Sequence, residues 1–243
     1  MARTLERQMP FPVDRIAANY QRVVERSGDA ALRSGRRPET VRVVAVTKTV
    51  GVELIEPLIA CGCVDIGESR PQQLWEKAKQ IGANVRWHMI GHLQRNKVDR
   101  TIPLISCLHS VDSPRLFGAI NASAQKLQLP PVPALLEINI SGDATKHGLT
   151  PDAACEIVQS LALVEHVAIC GLMGMASFVD DERIVRAQFA SLRELRDNLS
   201  SDMPAGHTMR ELSMGMSGDF EIAIEEGATI VRVGSALFEG CGS

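Results

Sequence analysis

The chain has 243 residues, enough for one α/β barrel of about 250 residues with a buried core, so a single domain spanning 1–243 is expected. Its 45% hydrophobic and 23% charged residues match ordinary globular usage and argue against a disordered or fibrous chain. A formal net charge of −3, with both signs interspersed and no Lys/Arg block, argues against a nucleic-acid partner.

The opening MARTLERQMPFPVDR has no apolar stretch of signal-peptide length. No later run approaches the roughly 20 apolar residues of a membrane span, so a cytoplasmic protein without membrane association is expected. Cysteines stand at Cys61, Cys63, Cys107, Cys155, Cys170 and Cys241 without CxxC spacing. Cys61 and Cys63 invite reading as a metal pair, but no His or Cys pair accompanies them at zinc-site spacing. Free thiols in a reducing compartment, and no metal, are expected.

In chain order, Val13, Ile16, Ala17, Tyr20, Val23 and Val24 recur at helical spacing. They predict a leading helix, ended by the Gly35 to Glu39 loop, that caps the bottom of the barrel. Strand-like runs follow at Val41 to Val46, Val64 to Gly67, Val85 to His88, Leu104 to Leu108, Leu135 to Asn139, Val167 to Gly171, Glu211 to Ser213 and Ile230 to Val233. Amphipathic stretches between them include Arg70 to Gly82, Pro114 to Gln128, Pro151 to Leu163 and Asp181 to Leu199. An earlier helix contains Pro57, where a kink is expected. Parallel strands joined by helices need both sheet faces covered, and eight such units close into a (β/α)8 TIM barrel. The alternative, a doubly wound open sheet, lacks a GxGxxG after the first run.

Chemistry in such a barrel sits at the C-terminal strand ends. The first strand ends in Thr47-Lys48-Thr49, where a lysine pointing into the mouth with its stem against apolar neighbours is desolvated and suited to Schiff-base chemistry. The competing reading is a solvated lysine just past a strand. His88 ends the third strand, and is either part of this cluster or a satisfied core histidine. His92 and His109 read as structural, and Asn139 ends the fifth strand. Ser213-Met214-Gly215-Met216-Ser217-Gly218 follows strand seven and Gly234-Ser235 follows strand eight. Two small glycine-rich loops at those ends suit a phosphate. Arg232, near the end of strand eight, is able to donate to a ring nitrogen or a phosphate. Lysine, phosphate loops and arginine together describe a site for a phosphorylated aldehyde.

The motifs AVTKT, WHMIGHLQRNK, SVD, SGDATKHGL, GLM and LSMGMSGDFEIAIEEGATIVRVGSALF resemble the pyridoxal phosphate homeostasis protein family over nearly the whole chain. LSMGMS followed by VRVGS carries the resemblance by order and spacing, whereas SVD or GLM alone is unspecific. The resemblance implies a fold-type III barrel, like the N-terminal domain of alanine racemase, with pyridoxal 5′-phosphate (PLP) held as an aldimine on Lys48. It further implies that Ser213, Met214, Ser217, Gly234 and Ser235 surround the phosphate, that Arg232 faces the pyridine nitrogen, and that His88 and Met173 line the ring pocket. Asn139 and Ser69 are counted with them on the rim. Where the family has GEN this chain reads Gly67-Glu68-Ser69, and the threonine expected after GLM is Gly174, so contacts at those two positions differ.

An arginine at the ring nitrogen discourages its protonation and mutes carbanion chemistry. Racemases of this fold add a tyrosine from a second domain of a partner subunit. Here the one tyrosine is Tyr20, in the leading helix, and no second domain is expected after the last barrel helix. The expected function is a PLP-binding protein without robust catalysis, buffering the cofactor or delivering it to PLP-dependent apoenzymes and affecting amino-acid and keto-acid balance. The alternatives are a fold-type III amino-acid racemase and a Schiff-base aldolase using Lys48. A monomer or weak homodimer is expected, and Lys146 stands between a second aldehyde acceptor and a solvated loop lysine.

Overall fold

The computed structural model describes residues 12–82, 84–142 and 147–241. In chain order the elements are α1 (Pro12–Arg33), β1 (Arg42–Val46), α2 (Glu56–Ala60), β2 (Asp65–Glu68), α3 (Pro71–Gln80), β3 (Arg86–Met89), α4 (Val98–Thr101), β4 (Cys107–Val111), α5 (Pro114–Lys126), β5 (Val132–Ile138), α6 (Pro151–Ser160), β6 (Val167–Gly174), α7 (Glu182–Ser200), β7 (Glu211–Ser213), α8 (Phe220–Glu225), β8 (Ile230–Val233) and α9 (Ser235–Phe238). Each strand pairs in parallel with the next, and β8 returns to β1 with Val44 opposite Arg232. The sheet is therefore a closed eight-stranded barrel, and the open-sheet alternative is excluded.

Alternation along each strand sorts the side chains into two cores. Val44, Cys107, Leu135, Met173 and Ile230 pack inside the barrel. Ala45, Ile66, Met89, Leu108, Leu136, Leu172 and Leu212 face outward into the larger core beneath the helices. Among the described residues no helix is long and apolar enough to cross a membrane.

The structure corrects several expected details. The leading helix does not cap the barrel bottom: α1 packs against α8, α9 and α2. It fills the outer-ring position that the four-residue α9 is too short to cover. Asn19 Nδ2 fastens it there, donating to Leu237 O and Glu239 O at 3.1 Å each. Pro57 kinks nothing, because it stands in the first turn of α2, where a proline's missing N–H has no helical partner to lose. β4 starts three residues later than expected, since Pro103 holds Ile102–Leu104 in a 3-10 turn and the apolar Leu104 and Ile105 belong to the strand's approach. β5 starts earlier, at Val132, whose N–H donates to His166 O at 3.0 Å despite the flanking prolines. β6 runs on to Gly174, its register with β5 shifting at the bulge between Ala134 and Leu135.

Candidate functional site

β1 ends in a turn closed by Val50 N–H donating to Thr47 O at 3.1 Å, with Lys48 at its tip. The residue before the lysine is pinned from below. Thr47 Oγ1 donates to Glu68 Oε1 at 2.6 Å, and the buried Lys77 Nζ donates to Thr47 O at 2.7 Å and to Glu68 Oε1 at 2.6 Å. Lys48 itself is exposed and makes no hydrogen bond or ion pair among the described residues. The desolvation expected from the sequence is therefore absent, because the turn lifts the side chain clear of the packed strand face.

Across the barrel interior, five side chains join into one hydrogen-bonded chain. Arg232 Nη1 donates to Ser213 Oγ at 2.6 Å, Ser213 Oγ meets His109 Nδ1 at 2.9 Å, His109 Nε2 meets His88 Nδ1 at 2.9 Å, and His88 Nε2 meets Asp65 Oδ1 at 2.9 Å. A guanidinium only donates and an ionised carboxylate only accepts, so Ser213 Oγ accepts at one end of the chain and His88 Nε2–H donates to Asp65 at the other. Burial, with His88 and Arg232 as neighbours, holds His109 well below the usual histidine range. Burial alone would raise Asp65, but hydrogen bonds from His88 and Arg86 outweigh it and hold its carboxyl at about 2. Arg86 grips that carboxylate with a fork, Nε at 2.7 Å and Nη2 at 2.6 Å.

At the mouth end of the chain, Arg232 Nη1 also donates to Ser213 O at 2.7 Å, and Nη2 donates to Gly174 O at 3.0 Å. A guanidinium has five N–H donors, so Nε–H and one Nη2–H stay uncommitted among the described residues. Burial pulls Arg232 down to about 10, with Glu137 and Asp219 opposing, and it stays charged at neutral pH.

The loops after β7 and β8 are built onto each other. Arg232 N–H donates to Gly215 O at 2.9 Å. Gly215 has φ +93°, and a Cβ there would lie 2.6 Å from Ala223 Cβ and 2.9 Å from Phe220 Cα, so only glycine fits. Ser217 Oγ accepts from Gly234 N–H at 3.1 Å and Ala236 N–H at 3.4 Å, tying one loop to the other. Ser217 and Gly234 are half-buried and Ser235 is exposed, whereas Ser213 and Met214 are fully buried beneath them. Met214 N–H is already donated to Ile230 O at 3.1 Å.

The remaining expected residues divide between interior and rim. Met173 belongs to the inner apolar layer, and His88 is buried with both ring nitrogens engaged. Ser69 is half-buried after β2, packed so closely on Gly91 that a Cβ at Gly91 would collide with its backbone oxygen. Asn139 is half-buried, its Oδ1 accepting from Ser141 Oγ at 3.0 Å. Lys146 lies outside the described residues.

Sequence reasoning missed Asp65 and Glu137. His109, read as structural, lies fully buried within β4, beyond the end expected for that strand. Asp65 opens β2 one inward position before Gly67. Glu137, two residues before Asn139 and 5% exposed, accepts no side-chain hydrogen bond among the described residues. Burial and the like charge of Asp112 push its carboxyl up to about 7, against the pull of Arg232 and His92. Period-two counting from Asn139 is the signal that would have found it.

Residues 13–241 match the family described as alanine racemase, N-terminal domain. A pyridoxal phosphate homeostasis protein of Aquifex aeolicus is 37% identical over 218 residues, covering 89% of this chain and 94% of its own length. A crystal structure of an unknown protein from Bifidobacterium adolescentis superposes with a TM-score of 0.86 at 36% identity, covering 93% of this chain and 95% of that one. PipY of Synechococcus elongatus, solved with PLP bound, superposes with a TM-score of 0.78 at 32% identity, covering 89% and 99%. With its closed barrel and match over nearly its whole length, this chain belongs to the alanine racemase N-terminal-domain family and, within it, to the pyridoxal phosphate homeostasis proteins.

Proposed function

We propose that this chain, as one barrel domain spanning 1–243, binds PLP at its mouth and holds it for cofactor homeostasis, with little or no turnover. The observation that carries this reading is Arg232, charged, buried and fixed by its bonds to Ser213 and Gly174, with two N–H groups still uncommitted among the described residues. In this reading Lys48 is the amine that takes the cofactor's aldehyde. Ser217, Gly234 and Ser235 surround the phosphate over Ser213 and Met214. Arg232 faces the ring nitrogen, His88 and Met173 lie beneath the ring, and Ser69 and Asn139 stand on the rim.

When bound, PLP supplies an electrophilic aldehyde and a ring that withdraws electrons best when its nitrogen is protonated. Arg232 keeps its own proton and donates a hydrogen bond, which favours the unprotonated ring. A racemase needs a second acid or base opposite the lysine. Tyr20 does not serve, since it is in α1 on the outer ring, with its hydroxyl against Cys63. The reading also puts the protein in the cytoplasm as a monomer or weak homodimer, delivering PLP to apoenzymes; its cysteines are free thiols.

The test is the visible spectrum of the purified, PLP-reconstituted protein. The wild type is expected to be yellow, Lys48→Ala to lose that band, and neither to racemise amino acids. A colourless wild type would overturn PLP binding, and robust racemisation would overturn the non-catalytic reading.

A further inference from the structure

The strands opposite β1 carry a second cluster that the PLP reading does not use. The loops after β3, β4 and β5 bring together His92, Asp112 and His147. His92 Nδ1 lies 2.6 Å from Asp112 Oδ2, and the rings of His92 and His147 stack with centroids 4.8 Å apart and 17° between planes. One ligand atom from each of the three lies within 4.8 Å of the others. Asp112 has a side chain only 7% exposed and accepts from Ser113 Oγ at 3.1 Å, whereas His92 has a side chain 46% exposed. The carboxylate is thus fixed and the imidazoles are free to adjust.

We infer that His92, Asp112 and His147 form a site for one divalent transition-metal ion on the barrel rim. Two imidazoles and a carboxylate are a donor set that suits zinc, cobalt or nickel, leaving coordination positions open to water. Metal–ligand distances of about 2.0–2.2 Å put the ligands of one ion roughly 3–3.5 Å apart, so His92, now 2.6 Å from Asp112, opens slightly while the wider separations, at most 4.8 Å, close by up to roughly an ångström. The hydrogen bond between His92 and Asp112 gives way to the ion as it enters.

An independent observation points to a cation at this place. Glu137, a residue 5% exposed, accepts no side-chain hydrogen bond among the described residues, with Asp112 as its chief like charge and Arg232 and His92 within electrostatic reach. Two carboxyls within electrostatic reach of each other favour added positive charge near them, beyond what Arg232 supplies to Glu137. Glu137 lies outside the ligand cluster and acts on the ion by charge or through a coordinated water. A cavity of about 650 Å³, with His92, Gln94, Asn96 and Asp112 on its wall, supplies the entry path. Arg95 and Arg115 on the same wall suit an anionic co-ligand.

The site is testable independently of PLP. Protein freed of metal with a chelator is titrated with Zn²⁺ and, separately, Co²⁺, by calorimetry and by the visible d–d band of cobalt. One ion per chain is expected, with affinity falling ~10-fold or more in Asp112→Asn and in the double variant His92→Ala/His147→Ala. The double variant changes exposed side chains, so circular dichroism and the PLP absorbance are expected to match the wild type. Absence of one-to-one binding by the wild type overturns the inference. So does a double variant that binds as tightly, which would assign the ion to thiols such as the exposed Cys61.

Discussion

Removing His109 strands two partners at once, His88 Nδ1 and Ser213 Oγ, both buried. A buried polar group left unmatched costs about 1–3 kcal/mol, so His109→Leu is expected to lower unfolding stability by about that amount for each stranded group. Urea denaturation of the variant measures it. If the five side chains act as a unit, a cycle with His88→Leu gives a coupling of about 0.5–3 kcal/mol. Additive losses would reduce the chain to separate contacts. Gly215→Ala tests the other half of the site. Its Cβ is built into Ala223 and Phe220 at a φ that costs an L-residue about 1–2 kcal/mol. The β7 loop must therefore move, and faster release of PLP on dialysis is expected; unchanged retention would free that loop of any part in holding the phosphate.

At the scale of elements, the barrel is closed by a helix from the wrong end of the chain. α9 is one turn long, and α1 occupies the flank between α8 and α2. Asn19→Ala removes the one side-chain donor to Leu237 O among the described residues and leaves Glu239 O only the Cys241 thiol. A drop of about 1–3 kcal/mol is expected by thermal unfolding, and an unchanged midpoint would assign the docking of α1 to its apolar face alone. Most elements were legible because their apolar residues keep strict periods, but two strands were displaced by proline. Leu104 and Ile105 imitated the start of β4 behind Pro103, and Pro131 and Pro133 hid the start of β5. The first of these errors left His109 outside the expected strand and so hid the hydrogen-bonded chain. The β7 and β8 loops were readable because their glycines and serines are local signals. The links between Asp65, His88, His109, Ser213 and Arg232 are not, since only closure of the barrel brings those positions together.

Over the whole molecule, two buried carboxyls in the barrel, Asp65 and Glu137, answer pH with opposite signs. Asp65 is held at about 2 in the folded protein against an ordinary 3.8, so its contribution is complete above the ordinary value and is lost as pH falls through 2. Glu137 is raised to about 7 against an ordinary 4.5, so its contribution is complete below the ordinary value and is lost as pH rises through 7, where the buried carboxyl must ionise in place. Urea unfolding measured across pH, with a chelator present to keep metal off the rim, is therefore expected to show stability declining on both sides. Asp65→Asn should flatten the acid limb while lowering stability overall, because Arg86 and His88 lose their acceptor. Glu137→Gln should flatten the decline toward neutral pH and exceed the wild type in stability above it. If Glu137→Gln instead keeps the wild-type slope between the two values, Glu137 ionises freely and the mouth is wetter than its 5% exposure implies.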